Sequence, residues 1–236
     1  MARERAQQIL TDLKESSQSS DPSLPQRLLE ACAAALPVTG AGLLVMTNTG
    51  PGAILAATDG PARVMEELQF TLGEGPCIEA TRSGRPVLQP DLAATAPSRW
   101  PGFAAGALDA GIGAIFAFPL QVGGIRVGVL DLYRNRPGPL ADPDLAEALD
   151  FADAATTVLL HLQAQNGPDG VVTLLEDRNE VHQATGMISV QTGLGLADAL
   201  LLLRAHSYAE ERGILDVSRD VVSRIMSFAV RGRLQE

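Results

Sequence analysis

The order of apolar and polar positions along residues 22–165 predicts a domain that mixes helices and strands. Short β-branched and aromatic runs on either side of a Pro/Gly turn, and again around Gly123-Gly124, predict two hairpins. Stretches of helical spacing alternate with these hairpins, and Val87 begins an edge strand. The predicted result is an antiparallel sheet flanked by helices, an α+β domain of sensor size. The predicted helices cover 2–15, 24–35, 61–70, 76–83, 98–111 and 142–164, and the predicted hairpins cover 40–60 and 112–135.

Beyond "QNGPDG" (165–170), apolar residues recur only with a helical period. Three stripes follow one another, which predicts an all-α three-helix bundle. We therefore divide the chain into an N-terminal helix and linker (1–21), a sensor-like domain (22–165) and a helical domain (166–236). The stripes are Val171, Leu174, Val181, Ala184 and Ile188; Leu196, Ala199, Leu200 and Leu203; and Val217, Val221, Ile225 and Phe228.

The composition is that of a folded chain without a membrane span. Hydrophobic residues make up 46% of the 236 residues and charged residues 19%, which is enough apolar surface for a core. No apolar run approaches the roughly 18 residues that a span needs, and the first 20 residues lack a signal-peptide pattern. Cys32 and Cys77 form no disulfide framework and have no zinc-ligand spacing. We expect a cytoplasmic protein with reduced thiols, no metal site and no membrane partner.

The net charge of −10 argues against a generic nucleic-acid-binding surface. Residues 166–236 contain seven Arg and ten Asp or Glu, and the only lysine of the chain is Lys14. A phosphate contact in this part would have to come from arginine, histidine or the backbone. Composition alone therefore favours partners other than nucleic acid.

The motifs of the helical domain nevertheless resemble those of the ANTAR family. They are "HQATGMI" (182–188), "GLADALLLLRAHS" (195–207) and "LDVSRDVV" (215–222), preceded by Arg178. The resemblance implies a three-helix RNA-binding module of bacterial regulators, which binds a tandem-hairpin element in nascent transcripts and prevents a terminator from forming. Two departures are Thr185, where the family usually has lysine, and Ser207, where it usually has alanine.

The same resemblance, together with arginines that come from separate helices, gives a set of candidate RNA-binding residues. Arginines suit bidentate phosphate contacts, and histidines suit stacking on loop bases. The alternative for each charged residue is that it lies on a solvent-exposed helix face without a binding role. The candidates are Arg178, His182, Gln183, Thr185, Gly186, Arg204, His206 and Arg219.

Gly186 interrupts a helical stretch, at a cost of about 1 kcal/mol relative to alanine. One interpretation is that it allows two helices to pack closely, and this is the one we favour. The other is that it lets an RNA backbone approach the helix. The two are compatible, because a close helix contact would position the neighbouring His182, Gln183 and Thr185 on an exposed face.

The preceding domain resembles a GAF domain in "LGEGPCIEA" (72–80), "RPVLQPDL" (85–92), "RWPGF" (99–103) and the paired strands of 115–133. The resemblance implies binding of a small ligand, such as a cyclic nucleotide, a tetrapyrrole or a metal cofactor, or of no known ligand, and often dimerisation. No attachment motif selects among these, so the cofactor stays unknown. Trp100 and Phe103 serve a pocket wall or a core equally well. The candidate ligand-binding residues are Glu74, Cys77, Trp100, Phe103, Phe116 and Phe118.

Cys77 follows Gly-Glu-Gly-Pro at a predicted helix N-terminus, a position that lowers a thiol pKa. A redox sensor or thiol enzyme could use such a cysteine, and one GAF family reduces free methionine sulfoxide. That chemistry needs a resolving cysteine nearby, and Cys32 belongs to an earlier helix. We therefore favour a buried structural cysteine, and we expect no enzyme activity.

The combined hypothesis is a signal-responsive regulator of the GAF–ANTAR type found in actinobacteria. Its GAF-like domain senses a small molecule or mediates dimerisation, and its ANTAR-like domain binds RNA and controls transcription termination. A homodimer would place two helical bundles at the spacing of two hairpins. The alternative is a redox or ligand-sensing protein-interaction module that does not bind RNA.

Overall fold

The computed structural model describes residues 23–47, 50–166, 179–210 and 212–228. The chain divides into two compact units, Met1–Leu174 and Leu175–Glu236. The predicted helix over 2–15 and the first two residues of the first predicted stripe, Val171 and Leu174, lie outside the described residues. The domain boundary predicted after residue 165 also borders residues that the structure does not describe.

The first unit is a β-sheet with helices on both faces. Its strands are β1 (Gly40–Thr47), β2 (Gly50–Ala57), β3 (Val87–Gln89), β4 (Ala114–Val122) and β5 (Ile125–Arg134). Its helices are α1 (Leu24–Ala35), α2 (Gly60–Leu72), α3 (Pro76–Ser83), α4 (Leu92–Arg99), α5 (Pro101–Asp109) and α6 (Asp142–Asn166).

The five strands stand in the order β2-β1-β5-β4-β3, and every described pairing is antiparallel. The two predicted hairpins, β1–β2 and β4–β5, are confirmed, and β3 lies at the edge of the sheet as predicted. Gly123 takes a φ of 59° in the β4–β5 turn, a conformation that glycine adopts without strain. The predicted antiparallel α+β fold is therefore confirmed.

The sheet separates two apolar cores, because successive residues of a strand point to opposite faces. Helices α1 and α6 cover one face, with a core that includes Phe116 and Phe151. Helices α2 to α5 cover the other face, with a core that includes Met65, Phe103 and Ile115. Neighbouring residues of β4, such as Ile115 and Phe116, thus serve different cores.

The range 98–111, predicted as one helix, contains the end of α4 and all of α5, and the two helices meet at Trp100. Trp100 adopts φ −141° and ψ 73°, outside the helical region. Pro101 follows directly, and a proline disfavours the helical conformation in the residue before it. The same proline is tolerated as the first residue of α5, where its missing N–H would have no partner.

The second unit consists of three helices, α7 (Asn179–Thr192), α8 (Leu196–Ala209) and α9 (Ile214–Val222), each in contact with the other two. Its buried side chains include Val181, Ile188, Leu203 and Val217, which belong to the predicted stripes. Among the described residues, no single helix is long and apolar enough to span a membrane. Helices α7 and α8 meet that test only as a pair, with a bend of 106° between them.

The third predicted stripe is only half correct. Val217 and Val221 are buried in α9, but the helix ends at Val222, and Ile225 is 78% exposed. Arg224 takes a left-handed φ of 59°, which turns the chain away from the helix axis. The apolar residues at 225 and 228 therefore continue the spacing of the stripe without continuing its helix.

We expect Gly128→Ala to lower the free energy of unfolding by about 1–3 kcal/mol, because it overpacks the sheet. A Cβ at Gly128 would lie 2.5 Å from Cδ1 of Leu159 and closer still to the carbonyl oxygen of Leu44. Urea unfolding measures the effect. Gly60→Ala is the matched control, because a Cβ there meets nothing within 4 Å. Equal stability of the two variants would contradict this account of the sheet.

Candidate functional site

The six candidate ligand-binding residues of the first unit do not form one site. Phe116 and Phe118 lie in the core under α1 and α6. Cys77, Trp100 and Phe103 lie in the core under α2 to α5. The sheet stands between these two groups, so a single pocket cannot include all six residues.

Glu74 serves the fold as a helix cap. Its Oε1 accepts a hydrogen bond from the backbone N–H of Phe103 at 2.8 Å. Phe103 lies in the first turn of α5, where N–H groups lack partners within the helix and a negative charge is favourable. Gly102 makes room for the carboxylate, since a Cβ there would lie 3.0 Å from the same oxygen. Glu74 thereby connects the α2–α3 loop to α5.

Trp100 and Phe103 pack against each other in the same core. Their rings meet edge to face, with centroids 6.4 Å apart. Only 4% of Trp100 and none of Phe103 is exposed. The guanidinium of Arg99 lies 4.5 Å from the centroid of the Trp100 ring and is paired with Glu79. Both aromatic side chains thus fill the interior, the second of the two roles left open for them.

Cys77 does not have the lowered pKa that its position at the start of α3 predicts. The thiol is fully buried. Burial, and then the nearby carboxyl groups of Asp131 and Glu66, raise its pKa well above the usual value. Cys32 is also buried, in the core on the other face of the sheet. The environment of Cys77 therefore favours the thiol over the thiolate.

Three buried polar residues beside Cys77 were not predicted from the sequence: Glu66 and Gln69 on α2, and Asp131 on β5. None of them is exposed to solvent. Nε2 of Gln69 donates to Oδ2 of Asp131 at 2.9 Å and to Oε2 of Glu66 at 3.3 Å. Oε1 of Gln69 accepts from the backbone N–H of Cys77 at 2.7 Å. One amide side chain thus joins the central strand, α2 and α3.

The sequence does contain a signal for this buried polar cluster. The buried positions of α2 are 62, 65, 66, 69 and 70, so Glu66 and Gln69 occupy the stripe that faces the core. Asp131 lies within the otherwise apolar run of β5, whose residues 127–133 are all buried. A polar residue at a core position has to find a partner inside the protein. Three such positions in two elements that pack together are therefore a recognisable pattern.

In the second unit, the structure divides the candidates on α7. His182 and Gln183 are exposed, as expected, while Arg178 lies outside the described residues. Thr185, expected on the exposed face, is buried, and its hydroxyl donates to the carbonyl oxygen of Val181 at 2.6 Å. Thr185 therefore packs inside the bundle and presents no polar group to a partner.

The remaining charged candidates of the second unit are engaged in contacts within it. The His206 ring meets the Phe228 ring edge to face, with centroids 5.1 Å apart. Arg219 is ion-paired with Glu180 at 3.4 Å and with Asp216 at 3.3 Å. Arg204 is half-buried on α8. The arginine cluster expected from Arg178, Arg204 and Arg219 is thus partly neutralised at Arg219.

Gly186 is not a close-packing residue, contrary to the interpretation favoured from the sequence. A Cβ built on Gly186 meets nothing within 4 Å. The residue instead borders an open groove of about 700 Å³ on the second unit. The groove is mainly apolar, and Val190 within it is 86% exposed. It is lined by Gln183, Gly186, Met187, Val190, Gln191, Arg224, Met226 and Ser227.

Arg224 borders the same groove in an unfavourable backbone conformation. It is the one non-glycine residue with a positive φ in the described part of the chain. This is the position after the helix C-cap where glycine is common, and a side chain there costs roughly 1–2 kcal/mol. Hydrogen bonds from the N–H groups of Ile225 and Met226 to the carbonyl oxygen of Asp220 hold the turn.

The described residues offer no site of the kind that would hold a metal ion. No group of three or more His, Cys, Asp or Glu side chains in residues 23–47, 50–166, 179–210 and 212–228 is arranged so that it could hold a metal ion. The polar cluster of the first unit contains two carboxyl groups and an amide, and the groove of the second unit contains none of these four residue types.

The first unit is an α+β domain in which helices cover both faces of an antiparallel five-stranded sheet. The family model described as "GAF domain" matches residues 3–189. The chain therefore belongs to the GAF domain family, which confirms the resemblance seen in residues 72–133. Membership of this family indicates ligand sensing or protein interaction. Among curated proteins, none matches this chain.

Solved structures with a similar fold cover about two thirds of this chain. A domain of a two-component sensor histidine kinase from Sinorhizobium meliloti 1021 is 21% identical, with a TM-score of 0.50, over 63% of this chain and 96% of that one. The GAF domain of the cyanobacteriochrome TePixJ is 16% identical, with a TM-score of 0.50, and the match covers 63% of this chain and 94% of that one. The GAF domain of an Acinetobacter phosphoenolpyruvate-protein phosphotransferase is 14% identical, with a TM-score of 0.50, and the match covers 68% of this chain and 96% of that one. At these identities the likeness concerns the fold alone.

We expect Cys77 to be unreactive towards a thiol reagent in the native protein at pH 7, because the thiol is buried and its pKa is raised. Mass spectrometry after labelling, with and without urea, measures the modification of each cysteine. Labelling of both Cys32 and Cys77 in urea is the control for reagent activity. Rapid native labelling of Cys77 would contradict this account and favour a redox role.

Proposed function

We propose that this protein is a signal-responsive regulator that binds RNA through its second unit and controls transcription termination. The GAF unit senses a ligand or contacts a partner, and the proposed activity is binding without a catalytic step. Two observations support the RNA part of the proposal. One is the resemblance of residues 178–222 to the ANTAR family, and the other is the groove beside Gly186.

The observation that carries the proposal is that two locally unfavourable residues face the same groove. Gly186 weakens α7 at a place where alanine would fit, and Arg224 occupies a backbone conformation that glycine would fill without strain. Neither residue improves the stability of the bundle. Local features that oppose stability concentrate at functional sites, where strain and open space serve binding.

The chemistry of the groove suits the unpaired part of an RNA hairpin. The open space over Gly186 gives a base or a backbone access to α7. Met187, Val190 and Met226 supply apolar surface for the face of a base. Arg224 supplies a cation for phosphate, and its guanidinium makes no hydrogen bond or ion pair with the described residues. Single-stranded loops, whose bases are accessible, are the usual targets of sequence-specific RNA recognition.

Electrostatic attraction contributes less here than at a basic RNA-binding surface. Arg219 is paired with Glu180 and Asp216, and Arg212 with Asp220 at 2.7 Å. Because each of these arginines is paired with an acidic side chain, a nearby phosphate would experience little net positive charge. Recognition would therefore depend on the groove more than on long-range attraction.

A protein-interaction module without RNA binding is the second candidate function. It is favoured by the apolar lining of the groove and by the exposure of Ile225 at 78% and Val190 at 86%. Exposed apolar side chains beside a groove are typical of surfaces that contact proteins. The two candidates differ in their affinity for RNA at low salt, where phosphate contacts are strongest.

We further propose that the protein acts as a homodimer, because a tandem-hairpin target offers two equivalent sites. In the first unit, Leu149 and Leu160 are 43% and 39% exposed on α6. They are eleven residues apart, which is about three helical turns, so they lie on one face of the helix. Two exposed leucines on one face suit contact with the same helix of a second copy.

We expect the full chain to bind a tandem-hairpin RNA selectively over a scrambled RNA of the same length, with higher affinity at low salt. A titration followed by fluorescence anisotropy measures both affinities. Absence of binding at low and near-physiological salt would overturn the proposed function and favour the protein-interaction module.

We expect Gly186→Ala and Arg224→Gly each to weaken RNA binding by about tenfold or more without lowering stability. The first change blocks the open space, and the second removes a charge-assisted contact worth about 1.5–3 kcal/mol. Both changes are neutral or stabilising for the helices themselves. Arg126→Ala, on the first unit, removes one positive charge as a control and should leave binding unchanged. If all three variants bound RNA with the affinity of the unsubstituted protein, the RNA would have to bind outside the groove.

We expect the double change Leu149→Glu and Leu160→Glu to convert a dimer into a monomer, because four like charges would meet across the interface. Light scattering after gel filtration measures the mass at several protein concentrations. Leu108→Glu is the matched control, since Leu108 is 36% exposed on a different helix. A monomeric unsubstituted protein at micromolar concentration, with and without RNA, would overturn the dimer.

A further inference from the structure

The buried polar cluster of Glu66, Gln69 and Asp131 places two carboxyl groups in the interior of the GAF unit. Asp131 lies on the central strand β5, opposite Gly42 of β1 and Ala117 of β4. Glu66 reaches over Gly42, where a Cβ would lie 2.9 Å from its Cγ. The amide of Gln69 contacts both carboxyl groups, and solvent reaches neither of them.

The groups that face Asp131 do not include a described cation. Helix α2 contributes Glu66 and the neutral Gln69, and α3 contributes the thiol of Cys77. The neighbouring strands contribute Gly42 and Ala117, which carry no titratable side chain. The remaining oxygen of Asp131, Oδ1, accepts no hydrogen bond from the described residues.

Two ionised carboxylates are strongly unfavourable in such a place. A buried charge costs several kcal/mol unless it is compensated, and two adjacent negative charges repel each other as well. A single proton held between the two groups removes both problems and supplies an O–H donor. The amide of Gln69 donates to both groups and so reduces this cost only in part. Burial accordingly raises the pKa of Asp131 to about 7, against the lowering effect of its hydrogen bonds with Gln69 and Glu66.

We propose that Glu66 and Asp131 form a proton-binding site that makes the packing of α2 and α3 on the sheet depend on pH. With the proton bound, the pair is compatible with its apolar surroundings. When the proton leaves as the pH rises through neutrality, the two charges separate and Gln69 changes its hydrogen bonds. Because Gln69 also accepts from the N–H of Cys77, the change reaches the first turn of α3. This inference concerns the first unit and does not depend on RNA binding.

The direction of the pH dependence follows from the raised pKa. The folded protein keeps the proton up to about pH 7, whereas Asp131 in the unfolded chain loses it near its ordinary value of 3.8. Between these values the folded state binds more protons, so the stability of the fold decreases as the pH rises. Within that range, an increase of one pH unit lowers the folding equilibrium constant by about tenfold.

Urea unfolding of the full chain between pH 5 and pH 8 tests the proposal. We expect the folding equilibrium constant of the unsubstituted protein to fall by about a hundredfold relative to Asp131→Asn over this range. Asparagine keeps the shape of the side chain but cannot be ionised. Asp109→Asn is the control, because Asp109 is exposed at the end of α5, and it should retain the full pH dependence. Parallel pH profiles of the unsubstituted protein and Asp131→Asn would overturn the proposal.

Two measurements on the unsubstituted protein keep the test decisive if Asp131→Asn does not fold. Carbon-13 NMR of the side-chain carboxyl groups should show one buried carboxyl titrating near pH 7, and titration of all of them near pH 4 would overturn the proposal. Hydrogen exchange should show the protection factor of the Cys77 N–H decreasing above pH 7. A protection factor that stays constant from pH 6 to pH 8 would overturn the link from the carboxyl pair to α3.

Discussion

The central position of β5 in the sheet is the constraint on which the first unit depends. Strands lie on both sides of β5 and helices cover both of its faces, so every one of its residues from 127 to 133 is buried. Leu130 and Leu132 serve the core under α1 and α6, while Val129 and Tyr133 serve the other core. Gly128 leaves no room for a side chain, and Asp131 has to be satisfied by Gln69. A single strand thus determines where both helix layers can lie.

The hydrogen bonds of Gln69 give this arrangement a polar connection within an apolar core. A buried amide with donors and an acceptor can join three elements only in one orientation, so the cluster specifies how α2 and α3 lie on the sheet. Its two carboxyl groups carry a cost that an apolar pair of the same size would not. In a sensor domain, a costly buried group is a place where a small chemical change has a structural effect.

In the second unit the locally unfavourable residues lie at the surface, whereas in the first unit the costly groups are buried. Its interior is built mainly from residues of the apolar stripes, and Thr185 joins that interior by bonding to Val181 within the same helix. Gly186 and Arg224, which local stability does not favour, both border the groove. The GAF family accounts for the fold of the first unit, and the second unit carries the groove on its own helices.

Periodicity in the sequence determined the elements, because apolar spacing is a local property of the chain. The hairpins, the long helix α6 and the helical second unit were all predicted in this way, and so was the GAF resemblance of residues 72–133. Local spacing did not determine where a helix breaks when a proline follows, as at Trp100, or where it ends in a left-handed residue, as at Arg224. The tertiary structure alone decided which polar residues meet. Phe116 and Phe118 lie in a different core from Cys77 because the sheet separates them. Glu66 lies close to Asp131 because α2 packs across β5, although the two residues are far apart in the chain.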